Sequence, residues 1–205
     1  MPSPLLHCAT GVAFYSLDRR GFKRHRLRCA LIIVVAALLP DFDFIPGLLL
    51  GDPNRYHGGW THSIGFAVMA GCVLGLLGKG CRLRVGIWSS LACFSHALLD
   101  TLTVDLRPPY GVPVLWPFSN RLIHVESSPH PGVTHGADAA TIGEFMNSVF
   151  SSTNLEAIGF EVVAGVLLIV ICVGIGGAVG SRAARSVRAR QCPVDALGSV
   201  RPPEA

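Results

Sequence analysis

Long apolar runs alternate with short polar signatures along this chain. Residues 30–39 (Ala-Leu-Ile-Ile-Val-Val-Ala-Ala-Leu-Leu) are apolar without interruption, and residues 63–78 form a second, Gly-rich run. Residues 85–104 form a third, with His96 and Asp100 in its later half. Residues 159–180 form the fourth and clearest run, and residues 4–17 read as a shorter, amphipathic helix. A spanning helix needs about 20 predominantly apolar residues. The last two runs reach that length, whereas 30–39 and 63–78 must borrow flanking residues or tilt. The pattern predicts an all-α, polytopic integral membrane bundle with four to five transmembrane helices.

Composition agrees with an apolar environment. Half of the 205 residues are hydrophobic, only 15% are charged, and the mean hydropathy is +0.49. A soluble domain usually carries more charge. The length is that of one domain. The formal net charge of +4 is modest. Its distribution carries more information than its size.

Arg19, Arg20, Lys23, Arg24, Arg26 and Arg28 fill the first connection, and Lys79, Arg82 and Arg84 fill the third. Arg182, Arg185, Arg188 and Arg190 follow the last run. By the positive-inside rule these three segments face the cytoplasm. Their alternation with the apolar runs favours anchoring over nucleic-acid binding, and no nucleic-acid partner is expected. The expected organisation is a membrane-embedded domain over residues 1–180, with outward loops 40–62 and 105–158. A basic, disordered cytoplasmic tail follows over 181–205.

The seven cysteines are odd in number and form no C-x-x-C. They read as small buried hydrophobes, and no disulfide framework is expected. No charged segment precedes the first apolar stretch, so no cleaved signal peptide is expected.

On this map every candidate ligand falls at the outer face. His7 lies at the outer end of the first helix, and Asp41 and Asp43 follow the second. His57 and His62 precede the third, and His96 and Asp100 occupy the outer half of the fourth. Ionisable residues within membrane segments are costly and persist mainly for function. His96 and Asp100, four apart, share one helical face. Asp100 could ligate a metal beside His96, orient a ligating histidine, or simply hold helices together. Pro40 stops the second run, and Pro46-Gly47 predicts a turn after Asp41-Phe42-Asp43. These acids read as metal ligands or as ordinary interfacial residues, with Asp41 the better ligand. Gly58 and Gly59 allow close backbone approach between His57 and His62, and Thr61 is the expected cap of the next helix.

His124, His130 and His135 read as solvated loop residues, and His25 as part of the basic face. Asp18 belongs to the same inner side and is excluded. Glu156 and Glu161 could add a late carboxylate or serve as polar interface residues. Trp116-Pro117-Phe118 reads as a roof over the site or as an interfacial anchor. Neither H-E-x-x-H nor G-x-S-x-G nor a P-loop occurs.

These signatures together resemble the YdjM-like family of membrane-bound, metal-dependent hydrolases, named for a LexA-regulated inner-membrane protein. The resemblance rests on His7, Leu38-Leu39-Pro40-Asp41-Phe42-Asp43 and His57-Gly-Gly-Trp-Thr-His62-Ser63. It continues through Ser95-His96-Ala-Leu-Leu-Asp100-Thr101-Leu-Thr103 and Gly111-Val-Pro-Val-Leu-Trp116-Pro117-Phe118-Ser119, over roughly residues 5–120. The family commonly has an arginine after the first histidine of H-R-x-x-T-H-S, where Gly58 stands here. Arg55 or Arg121 could substitute for it. The resemblance implies His57, His62, His96, Asp100 and Asp41 as metal-site residues in a bacterial inner membrane. It is also similar in outline to all-helical zinc phospholipase C and P1-type nucleases, which implies a phosphoester substrate by analogy.

Mixed His and carboxylate ligation suits zinc and related divalent ions, one or two of them. His7, Asp41, His57, His62, His96 and Asp100 are the expected ligands. The expected reaction is hydrolysis of a phosphoester or phospholipid by metal-activated water, with Asp43 or Asp100 as general base. The bilayer is the expected partner. A transporter would need polar groups along a whole path across the bilayer, and the inner halves of the runs carry few. The other rival is a scaffold whose polar residues only bind helices together.

Overall fold

The computed structural model describes residues 2–22, 25–52, 55–103, 110–128, 132–133 and 141–191, apart from the side chains of Phe145 and residues 182–191. Among these residues the chain is all-helical, with no strand and one isolated bridge between Val112 and Ile123.

Helix α1 (Pro4–Leu17) begins where extended Ser3 accepts a hydrogen bond from the Leu5 amide and Pro4 occupies the first helical position. Helix α2 (Arg26–Leu38) stops before Pro40, and the chain tightens into a 3-10 turn over Pro40–Asp43. Helix α3 (Phe44–Leu49) follows directly. Pro46-Gly47 therefore lies inside a short helix, where a turn was expected. A proline in the first turn of a helix forfeits no intrahelical hydrogen bond. Helices α4 (Ile64–Leu76) and α5 (Arg82–Thr101) form the next pair. Helix α6 (Ile142–Val149) opens with a capping box between Thr141 and Glu144, and α7 (Ser152–Gln191) closes the described chain.

Helix α1 packs against α2, α5 and α7, while α5 packs against α4, α2 and α1. The close approaches rest on small residues. A Cβ on Gly11 would lie 2.7 Å from the Val34 Cα, and one on Gly165 would lie 2.8 Å from the Ala9 Cβ. On α4, Gly71 and Gly75 meet Gly86 of α5 backbone to backbone. This is the small-xxx-small spacing that lets helices approach closely in an apolar medium. Buried Phe22, Cys29, Ile33, Ala36, Ala37, Val85 and Ala92 form the main apolar core.

The contacts give the bundle two chemically distinct ends. At one end, the Arg84 Nη1 donates to both oxygens of Asp18 at 2.8 and 3.0 Å, and the Trp88 indole donates to Asp18 at 2.9 Å. Arg20 lies beside Gly180 there. Cys29 and Cys81 meet at the same end as free thiols with sulfurs 3.4 Å apart. At the other end, the buried Glu161 carboxylate accepts from the Ser3 amide at 2.8 and 2.9 Å and from the Ser3 hydroxyl. His7, Asp41, His62, His96 and Asp100 gather at this second end.

The expectation of four to five transmembrane helices is overturned. Among the described residues, only the Ser152–Ser181 part of α7 is long and apolar enough to cross a membrane, and most of it is exposed. A second crossing is available only if Arg26–Leu38 and Pro40–Leu49, bent by 54°, act as one span. The reason is length and polarity. Helix α1 has 14 residues and α4 has 13, so each rises about 20 Å against a hydrocarbon core of about 30 Å. The chain turns at Asp18 after α1, and the flanking residues that run 63–78 needed to borrow are turned away at Gly78. Helix α5 has the length, at 20 residues, but includes Arg82, Arg84, His96 and Asp100.

The expected connections are also more helical than anticipated. Loop 40–62 contains the 3-10 turn and α3, and loop 105–158 contains α6 and the start of α7. Helix α7 continues to Gln191, so residues 181–191 of the expected tail are helical, and 192–205 lie outside the described residues.

The α4–α5 contact generates a stability test. A Cβ at Gly71 would sit 2.6 Å from the Gly86 carbonyl oxygen, which cannot move without shifting α5. Gly71→Val is expected to destabilise the protein by about 2 kcal/mol or more. Gly177→Val, where no atom lies within 4 Å of an added Cβ, is the matched control. Thermal unfolding of both variants in detergent checks this. Equal midpoints would show that α4 and α5 do not rely on the close approach.

Candidate metal centre

Four elements deliver the polar cluster. His7 projects from the second turn of α1, and Asp41 from the 3-10 turn that Pro40 imposes after α2. His62 stands just before α4, whose cap is Ser63 and not the expected Thr61. The Ser63 hydroxyl accepts from the Phe66 amide at 3.2 Å, and extended backbone at Ser63 suits that position. The Thr61 hydroxyl is already committed, donating to Asp43 Oδ2 at 2.7 Å. His96 and Asp100 come from successive turns of α5, as their spacing predicts.

Four of these side chains converge tightly. His62 Nε2 and His96 Nε2 each lie 3.3 Å from Asp100 Oδ2. His96 Nε2 is also 3.3 Å from Asp41 Oδ1, and His62 Nε2 is 4.0 Å from the same oxygen. Ligands held at about 2.0–2.1 Å around a tetrahedral zinc are separated from one another by about 3.3 Å. Three of these four separations match that edge, and the fourth exceeds it modestly. The donors are two imidazole nitrogens and two carboxylate oxygens, and Asp41, His62 and His96 form one group that could hold a metal ion.

The unmet hydrogen bonds point the same way. His62 Nε2, His96 Nε2 and both oxygens of Asp100 are buried without a hydrogen-bond partner. Buried polar atoms are normally satisfied, and each orphan costs about 1–3 kcal/mol. A cation among them would satisfy three of these orphans at once. His96 is also oriented for this role. Its Nδ1 lies 2.7 Å from the Ala37 carbonyl oxygen, which can only accept, so Nδ1 carries a proton and Nε2 is the nitrogen aimed at the carboxylates.

Electrostatics reinforce the geometry. Burial opposes a charge on His96, but the Asp100 and Asp41 carboxylates outweigh it and hold the imidazole up to about 10. Burial likewise opposes ionisation of Asp100, yet His96 and His7 keep its carboxyl well below the usual carboxylate range. Without a metal, the imidazolium of His96 supplies the positive charge between the two carboxylates, and a cation bound there would displace its Nε2 proton. For His7, burial and then the neighbouring His96 push the pKa down.

His7 approaches the opposite oxygen of Asp100, with its Nε2 3.6 Å from Oδ1, and its ring stacks on His96 at 3.6 Å. It forms a second metal-competent group with His96 and Asp100. A third group comprises Asp43, His57 and His62. There His57 Nδ1 lies 2.8 Å from Asp43 Oδ1, a hydrogen-bond length shorter than the ligand edge. His57 also stacks on Phe44 at 3.7 Å. All six expected ligands and Asp43 are therefore brought into one contiguous cluster of three overlapping groups that share His62 and His96.

Other sequence candidates stand apart. Glu156 is exposed, and Glu161 is engaged by Ser3. His124 is exposed and faces the Tyr110 ring, while His130 and His135 lie outside the described residues. His25 caps the start of α2. Trp116 packs on α4: its carbonyl accepts from the Gly65 amide at 3.0 Å, and its ring tilts against Trp60 at 5.9 Å. Sequence reasoning missed the Ala37 carbonyl and the bonding of Thr61. The first carries no side-chain signal, and the second was hidden by the reading of Thr61 as a helix cap.

The described residues could thus hold a metal ion. A family model described as YdjM inner membrane protein matches residues 1–180, so the chain belongs to the YdjM family and is a membrane protein. No curated protein and no solved structure matches it.

Metal content tests the cluster directly. Detergent-purified protein loaded with Zn²⁺ is expected to retain about one ion per chain through desalting, since the Asp41–His62–His96 and His7–His96–Asp100 groups share His96. His96→Ala and Asp100→Ala are each expected to retain less than a tenth of that, and Glu161→Gln to retain all of it. Elemental analysis provides the readout. Undiminished metal in His96→Ala would sink the assignment.

Proposed function

We propose that this YdjM-family protein is a membrane-bound, metal-dependent hydrolase acting on a phosphoester, with a membrane phospholipid as the favoured substrate class. The observation that carries the reading is the buried His62–His96–Asp41–Asp100 donor set with its orphaned nitrogens and oxygens. Zinc fits this donor set best, being the divalent ion most at home among imidazole and carboxylate at tetrahedral spacing. Such an ion, when bound, polarises a phosphoryl oxygen and acidifies water.

The chain's own residues divide the remaining work. His62, His96 and Asp100 are buried and hold the cation. Asp41 has a 20% exposed side chain, the most open of the four, so the approach for substrate runs past it. His7 borders the cage beside Asp100 and His96 and is the group available to hold or move a proton there. Around this end, Phe42, Ile45, Trp60 and Phe118 leave large apolar surfaces exposed. Such a collar suits an amphiphilic substrate at the membrane boundary better than a free soluble one.

The proposed orientation places the cluster on the outer side of the inner membrane. Arg19, Arg20 and Arg84 belong to the opposite end of the bundle, where α7 runs on into its arginine-rich continuation. Positive residues mark the cytoplasmic side.

A second reading has its own support. Four protein ligands in a buried cage resemble a closed, structural metal site, since catalytic zinc usually keeps one position open. In that case the protein binds a metal without turnover. A hydrolysis screen separates the two, using zinc-loaded protein with phosphomonoester, phosphodiester and phospholipid-vesicle substrates. Turnover of at least one class is expected, falling at least 100-fold in both Asp41→Ala and His62→Ala. Activity undiminished in both variants would refute the site. Stoichiometric metal with no turnover on any class would favour the non-catalytic reading.

A further inference from the structure

The cage requires His62 to present Nε2 as a lone pair, and the residues around its other nitrogen decide whether it does. His62 Nδ1 lies 3.1 Å from the Thr61 hydroxyl oxygen and 3.4 Å from Asp43 Oδ2. The Thr61 hydroxyl has a single proton, and it is donated to Asp43 Oδ2 at 2.7 Å. Its oxygen can therefore only accept from His62. The other Asp43 oxygen is held by His57 Nδ1 at 2.8 Å. Asp43 and His57 each have side chains only 7% exposed, so water competes weakly for these bonds.

We infer that Thr61 and Asp43 are positioning residues that lock His62 in its Nδ1–H tautomer and aim Nε2 into the metal cage. The relay runs from the His62 Nδ1–H to the Thr61 oxygen, and from the Thr61 hydroxyl to the Asp43 carboxylate. His57 fixes the far side of that carboxylate. This inference rests on the metal reading for its consequence, and it reassigns Asp43 from general base to orienting group. Both Asp43 oxygens are engaged, which leaves it poorly placed to take a proton from water. The same logic holds His96, whose Nδ1 is fixed by the Ala37 carbonyl. Hydrogen bonds of this kind set ring orientation and tautomer, and their loss typically lowers metal affinity 10- to 100-fold.

The test uses the full chain in detergent with Zn²⁺ alone as probe. Competition titration against a chromophoric chelator should show Thr61→Val binding zinc 10- to 100-fold more weakly than wild type, with about one ion still bound at saturation. Thr61→Ser, which keeps the hydroxyl, should bind within a few-fold of wild type. Asp43→Asn should weaken binding in the same range. A second readout is independent of metal: ¹⁵N shifts of the His62 ring in metal-free protein should report Nδ1–H in wild type and Thr61→Ser, and a tautomer mixture in Thr61→Val. Unchanged affinity and unchanged ring shifts in Thr61→Val would overturn the inference. So would weakened binding that Thr61→Ser fails to restore, since that pattern marks packing and not hydrogen bonding. Wild-type protein that binds no zinc while keeping the Nδ1–H tautomer would refute the metal reading and leave the relay standing.

Discussion

The burial of the Asp100 carboxylate constrains everything around it. A carboxylate removed from water is tolerable only with compensating charge and hydrogen bonds. Asp100 is almost fully buried, and no hydrogen bond satisfies its oxygens. Three imidazoles, from α1, α5 and the segment before α4, instead converge on it, within 3.3–3.6 Å. Each of those helices must therefore end or turn at the right level for its histidine to reach. Asp41 adds a second carboxylate to the same volume, and the two acids facing His96 create a demand for positive charge that its imidazolium or a metal ion could meet.

That demand explains the division of the bundle into two ends. Arginines are gathered with Asp18 and Trp88 at one end, far along α1 and α5 from the cluster. The middle is built from small residues, so the helices approach closely enough for short side chains to meet across three or four elements. Gly11 against Val34 and Gly71 against Gly86 set those distances. Helix α7 contributes differently. It lies mainly against α1, leaves most of its apolar surface exposed, and ties its entry to the start of α1 through Glu161 and Ser3.

Much of the site was legible along the chain. The His96–Asp100 spacing required one helical face, and Pro40 required a break that frees Asp41 from the α2 axis. The positive-inside pattern grouped His7, Asp41, Asp43, His57, His62, His96 and Asp100 with Glu156 and Glu161; the structure brings the first seven together without the four to five spans on which that pattern relied. The fold was legible as all-helical but not in its relation to a membrane. Hydropathy counts apolar residues without showing where a helix ends, and α1, α2 and α4 end several residues sooner than spans would. Pro46 in the first turn of α3 likewise reads as a turn in sequence, because the harmlessness of a first-turn proline depends on where the helix begins.

By itself, the sequence determined which residues could serve a metal and which helical faces would carry them, because side-chain type and a 3.6-residue period are local properties. Only the tertiary structure separated the side chains that surround Asp100 from those that surround Asp43. Asp41 and Asp43 are two residues apart and chemically identical, yet one faces the cage and the other faces Thr61 and His57. His57 and His62 divide in the same way. That distinction rests on separations of a few tenths of an ångström between 2.8 Å hydrogen bonds and 3.3 Å ligand edges. Such differences are fixed by how closely helices distant in sequence pack, and no local pattern records them.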